Sequence, residues 1–205
     1  PADDPKSGTI TTHFSYKNLE GTLLKLDELG HTSPTIIRQL QEMTDVDPLL
    51  IQFDDPKTME IFSNTKTLDI RHDYSNKEDG SLGIPEFGTG FVRGMLSETK
   101  PTTFAELTRI SGLSHGTNVW LNNAQELIRG GITTLSRSIC TRDDIMIYLI
   151  SMGMDKLDSF KTMESVRKGR GIPEGIEEKM RDHKVPSWYI DSCQKIQYMF
   201  PKSHA

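Results

Sequence analysis

Helix-start signals recur along this chain at short intervals, and most stand before an apolar stripe of helical period. Ser33 followed by Pro34 pairs an N-cap residue with Pro at the first helical position. Ile36, Ile37, Leu40 and Met43 then follow on one face, which predicts a helix over 34–44. Asp47-Pro48 and Asp55-Pro56 repeat the start signal. Thr103 with Glu106 forms a capping box before FAELTRI, and Thr141 with Asp144 opens RDDIMIYLISMG, which Gly153 closes. Asp155, Pro173 and the Pro186-Ser187 pair open three further helices. Ile145, Tyr148, Leu149 and Met152 show the stripe at its clearest. Only TLLKLD, residues 22–27, alternates like a strand. The expectation is a mainly α chain, at least half helical, with one short strand near residues 20–28. DIRHDYSNKEDGSLG, 69–83, is polar and aperiodic and predicts a long exposed loop, with 69–80 its most mobile part.

Such helices need a solvent. Hydrophobic residues make up 35% of the 205-residue chain and charged residues 26%, the balance of a soluble globular protein. No apolar run approaches the ~18 residues of a membrane span. The polar start PADDPKSGTITTHF has no apolar signal core, and the missing initiator Met predicts a piece of a longer protein. A net charge of −5 gives no bulk argument for nucleic-acid binding, so any such role rests on a local patch. Cys140 and Cys193 form no CxxC, which fits a reducing, cytoplasmic setting and gives no zinc site.

Four stretches carry candidate chemistry. Asp27 ends the strand-like run beside a turn; it reads as a surface-turn acid or as a metal ligand, and magnesium takes one or two carboxylates with phosphate oxygens. A two-metal site needs several converging acids, and this chain offers one strand-borne acid, so its partners would lie elsewhere. SVRKGRG, 165–171, puts Arg167, Lys168 and Arg170 at a helix end, where they either cap the dipole or clamp phosphate oxygens. SGLSHGTNVW, 111–120, is a helix connector or a Gly-containing turn that lets backbone amides approach a nucleic-acid backbone. Ser114 and His115, with Lys195, are the nucleic-acid candidates. YMFPKSHA, 198–205, reads as a nucleotide-facing edge. His13, His31, His72 and His183 show no metal spacing.

Several of these stretches together resemble one family. LLKLDELGH (23–31), GIPEFGT (83–89), TKPTTFAELTRISGLSHGT (99–117), CTRDDIMIYLI (140–150), MESVRKGRG (163–171) and VPSWYIDSCQKIQYMFPKSHA (185–205) look like the PolC-type DNA polymerase III alpha subunit of low-GC Gram-positive bacteria. The similarity runs in order through nearly the whole chain and weakens across 64–80. It implies that 1–33 is the end of a palm domain and 34–205 a helical fingers domain. It places Asp27 as the third catalytic, magnesium-binding aspartate, and sets Arg167, Lys168, Arg170, Lys202 and His204 beside the incoming deoxynucleoside triphosphate (dNTP). The implied reaction is two-metal addition of nucleotides to a primer 3′ end on template-primer DNA. The remaining palm, the exonuclease, the oligonucleotide-binding domains and the sliding clamp would be partners in the parent protein, and the fragment alone would be inactive. Glu28 stands where the family usually has an apolar residue, and Ser203 where Ala is usual. The alternative is a self-standing helical module that binds nucleic acid or protein without catalysis.

Overall fold

A computed structural model describes residues 4–19, 21–24, 26, 30–69 and 79–205. More than half of them are helical, as the succession of caps predicts. The α-helices are α1 (Tyr16–Leu19), α2 (Ser33–Thr44), α3 (Pro56–Glu60), α4 (Gly90–Thr99), α5 (Phe104–Ser114), α6 (Gln125–Arg129), α7 (Arg142–Ser151), α8 (Lys156–Arg167), α9 (Ile176–Asp182) and α10 (Ser187–Lys195). No strand occurs among the described residues. The only β pairing there is an antiparallel bridge between Thr117 and Tyr198. Leu23, Leu24 and Leu26 stand exposed outside regular structure, and the rest of the expected strand, Asp27 included, lies outside the described residues or is a turn.

The chain divides into two compact units, 1–50 and 51–205. In the first, α2 starts at Ser33 with Pro34 in its first turn, but neither Thr32 nor Ser33 makes a side-chain cap. It ends where Asp45 takes a left-handed conformation. Ile36, Ile37, Leu40 and Met43 share a face as expected, yet no residue of this helix is buried.

The second unit holds the core. Met95 and Leu96 of α4, Ile110 and Leu113 of α5, Ile145 and Leu149 of α7, Val166 of α8, Met180 of α9 and Ile190 and Cys193 of α10 are all at most 1% exposed. Local chemistry sets the element ends. The Thr103 hydroxyl accepts from the Glu106 N–H (3.3 Å), and the Glu106 carboxylate accepts from the Thr102 and Thr103 N–H groups (2.7 and 3.2 Å). Asp144 accepts from the Cys140 and Thr141 N–H groups at the start of α7 (3.0 and 2.9 Å). Asp155 caps α8 through the Leu157 and Asp158 N–H groups. The short connection 152–155, with Gly153 at positive φ, folds α8 back along α7. Pro173 starts a turn rather than a helix: Gly175 is left-handed (φ 73°), so α9 begins only at Ile176.

The polar loop differs from its expected course at one end. Residues 70–78 lie outside the described residues, and of 79–83 Leu82 and Gly83 are exposed as expected, but Asp79 and Ser81 are buried. Asp79 is buried against Arg93 of α4 (Nε–Oδ1 2.9 Å), which also donates to the Asp79 carbonyl. Asp79 further accepts from Ser81, itself fully buried at the start of a short 3-10 turn. A charged residue reads as loop in a sequence; here a guanidinium on another helix takes it inside.

Candidate functional site

After α10 the backbone becomes extended at Ile196, and residues 196–205 are laced to three other parts of the unit. Thr117 N–H donates to the Tyr198 carbonyl (2.9 Å) and Gln197 N–H to the Thr117 carbonyl (3.1 Å). Met199 N–H reaches the Arg167 carbonyl at the end of α8 (3.4 Å). Arg142 N–H, at the start of α7, donates to the Phe200 carbonyl (3.0 Å), and Asp143 accepts from the Lys202 N–H (2.7 Å). This approach requires glycine at Gly169: its φ is +70°, and a Cβ there would stand 2.5 Å from the Gln197 carbonyl oxygen.

The segment therefore joins two groups that are far apart in sequence, the basic turn 167–170 and Lys202 with His204. Within the basic turn the three cations differ. Arg167 donates through Nε and Nη2 to Glu164, the latter over 2.9 Å, and Lys168 Nζ lies 3.1 Å from the same carboxylate. The Arg167 hydrogen bonds, with help from Lys168, hold the Glu164 carboxyl down to about 2 against the burial that opposes them. Arg170 is exposed and has no ion-pair partner among the described residues, and the same holds for the Lys202 ammonium. Arg142, partly exposed, is a third cation without an ion-pair partner among the described residues, and its backbone N–H ties it to Phe200. It occupies the first position of α7, where the helix dipole disfavours a positive charge.

An aromatic ladder borders these cations. His115 stacks on Phe200 (centroids 4.7 Å, planes 10° apart), and His204 is tilted against the same Phe200 ring (centroids 5.4 Å). His115 Nδ1 is 2.7 Å from the Ser111 carbonyl and Nε2 is 3.4 Å from Glu86. Ser114 turns inward, donating to the Ser111 carbonyl (2.8 Å). Lys195 is engaged elsewhere: its Nζ donates to the Asn122 carbonyl (2.8 Å) and ties α10 to the turn at 120–124. The structure thus brings His115 and His204 together on Phe200 and ties the backbone of the basic turn to segment 196–205, which carries Lys202, and it leaves Lys195 on a different contact. Asp27 lies outside the described residues, and among those no three His, Cys, Asp or Glu side chains converge on a possible metal position. Cys140 and Cys193 are core residues; burial pushes the Cys140 thiol up to about 12 and Cys193 higher still.

Three members of this site escape a motif search: Arg142, Asp143 and Glu164. Arg142 carries a local signal, a cation at a helix start just after a capping residue. Glu164 carries another, its spacing of three and four residues from Arg167 and Lys168. Asp143 carries none, because it serves a backbone group 59 positions away.

A family model for the bacterial DNA polymerase III alpha subunit finger domain matches residues 33–185. Over all 205 residues the chain is 59% identical to the DNA polymerase III PolC-type of Caldanaerobacter subterraneus subsp. tengcongensis, covering 15% of that protein. It is 58% identical to the DNA polymerase III PolC-type of Bacillus cereus and 56% identical to that of Staphylococcus epidermidis, covering 14% of each. The chain thus spans about one seventh of the length of these relatives. At this identity, and with the family match spanning α2 through α9, the chain belongs to the finger-domain family of the bacterial DNA polymerase III alpha subunit, in its PolC-type branch.

Proposed function

We propose that this chain supplies the fingers, with the adjoining end of the palm in 1–33, of a PolC-type replicative polymerase that adds deoxynucleotides to a primer 3′ end on a DNA template. One observation supports the reading: segment 196–205 carries Lys202 and contacts the backbone at Arg142 and at Gly169, next to Arg170, and these three cations lack ion-pair partners among the described residues. Gln197, packed on Gly169, and Lys202 are separated by at most about 18 Å of extended chain. Arginine forks and a lysine point charge suit the oxygens of a triphosphate. Arg167, Lys168 and His204 complete the edge, with Arg167 and Lys168 already sharing a carboxylate. For template-primer DNA we assign the turn at Ser114 and His115, and Lys195.

Asp27 is the residue of this chain that we assign to magnesium. When bound, the ion would stabilise the oxygens of the phosphoryl transfer. We assign the remaining ligands to the longer polymerase, because a two-metal site needs several converging acids. The rest of the palm, the exonuclease, the oligonucleotide-binding domains and the sliding clamp are the proposed partners, and the cytoplasm the proposed location. Among the described residues no helix is long and apolar enough to cross a membrane.

The test is primer extension by the whole polymerase carrying Asp27→Asn. Extension is expected to be lost while DNA binding stays nearly unchanged, because DNA affinity comes mainly from phosphate contacts. Near-normal extension removes Asp27 from the site.

A further inference from the structure

We infer that Glu164 is a positioning residue that acts as an internal counter-anion: its carboxylate occupies the Arg167 fork and the Lys168 ammonium, so that polyanions lacking a nucleoside bind the basic turn weakly. The inference rests on the reading of this turn as a phosphate-binding element. Glu164 Oε2 alone meets both cations, at 2.9 Å from Arg167 Nη2 and 3.1 Å from Lys168 Nζ, while Oε1 takes Arg167 Nε. The carboxylate thus presents to the guanidinium the same pair of oxygens that a phosphate would. The side chains of Glu164 and Arg167 are 25% and 24% exposed, so water screens this pair less than an ordinary surface one.

Pairing with Arg167 and Lys168 at i,i+3 and i,i+4 steadies α8, yet the position also carries a cost for an anion. Glu164 lies in the last turn of α8, where the dipole disfavours a negative charge, and the turn is already held from outside by Met199 N–H on the Arg167 carbonyl and by Gly169 against Gln197. The charge arithmetic explains it better. Arg167, Lys168 and Arg170 with Glu164 sum to +2, and without the carboxylate to +3. At +3 the turn would attract any phosphate chain. With Glu164 in place, Arg170 is the cation left open, and a ligand gains Arg167 and Lys168 only by competing for them. A nucleotide has its base and sugar to add to the competition; a bare polyphosphate does not.

The experiment uses the whole polymerase and inorganic tripolyphosphate as a competitive inhibitor of primer extension. Glu164→Gln should tighten its inhibition constant by about fivefold at low salt, the effect of one added unit charge a few ångströms away in a partly solvated site. The gain should shrink as salt rises toward 1 M. Glu164→Asp, which keeps the charge, should stay within about twofold of the parent. An unchanged or weaker inhibition by tripolyphosphate in Glu164→Gln overturns the proposal, and so does an Asp variant that tightens as much as the Gln variant. Arg170→Gln separates the two levels. If it weakens tripolyphosphate while Glu164→Gln does nothing, the turn binds phosphate and only the role of Glu164 is wrong. If neither variant moves the constant, the phosphate reading of the turn falls as well.

Discussion

Arg170→Gln should damage nucleotide use more than Arg167→Gln, although the two residues stand three apart in one basic turn. The difference comes from their partners. The Arg167 guanidinium is satisfied by Glu164 and is only 24% exposed, whereas Arg170 is exposed and has no ion pair among the described residues. A charge-assisted bond from Arg170 to a phosphate oxygen is worth on the order of 1.5–3 kcal/mol. Its loss raises the Michaelis constant for dNTP by roughly ten- to a hundredfold. Arg167 contributes less to the ligand, because its bond to phosphate replaces a bond to Glu164; a factor of about three to ten is expected. Folding reverses the order. Arg167→Gln breaks an i,i+3 pair on α8 and should cost about 0.5–1 kcal/mol, seen as a lower melting temperature. Arg170→Gln should leave the melt unchanged, since its side chain makes no ion pair or hydrogen bond among the described residues. The assay is steady-state extension by the whole polymerase over a range of dNTP, beside thermal melts of the same samples. A wild-type Michaelis constant for Arg170→Gln, or a larger kinetic loss for Arg167→Gln, would refute the reasoning that ion-pair partners rank these cations.

Three further outcomes are open to measurement. The Glu164 carboxyl sits at about 2 in the folded chain, below its ordinary 4.5, so its contribution to stability is complete above about 4.5 and is lost as pH falls toward 2; acid melts of Glu164→Gln should be flatter across that window. Asp79→Ala leaves the buried Arg93 guanidinium without its carboxylate and should cost about 3–5 kcal/mol in denaturant unfolding; a loss under about 1 kcal/mol would mean the pair is solvated. Gly169→Ala meets both a positive φ and the Gln197 carbonyl, so it should free segment 196–205 from α8, read as faster amide exchange at Met199.

Much of this fold is legible in single residues, because helix ends are local events. Thr103 and Glu106, and Asp155 with its two amides, make in space the bonds that their spacing announces. Where a second local rule competes, spacing misleads: Pro173 announces a helix, and the left-handed Gly175 delays it by three residues. Asp79 and Ser81 look like solvated loop until Arg93, fourteen residues on, draws them inside. Residue types mark YMFPKSHA as a nucleotide-facing edge and resemblance adds Lys202 and His204 by position, but neither gives their geometry. Lys202 reaches α7 through its own backbone N–H on Asp143, Phe200 through its carbonyl on Arg142, and Tyr198 through a bridge to Thr117. Backbone groups carry no residue identity, so no motif can encode these partners. What the side chains do retain is a trace of the cost. A cation at a helix start in Arg142, an anion near a helix end in Glu164 and a glycine with no room for a Cβ in Gly169 each break a local preference. All three violations lie in elements that segment 196–205 contacts, α7 and the end of α8 with its following turn, and that coincidence supports the proposed site on physical grounds independent of any family.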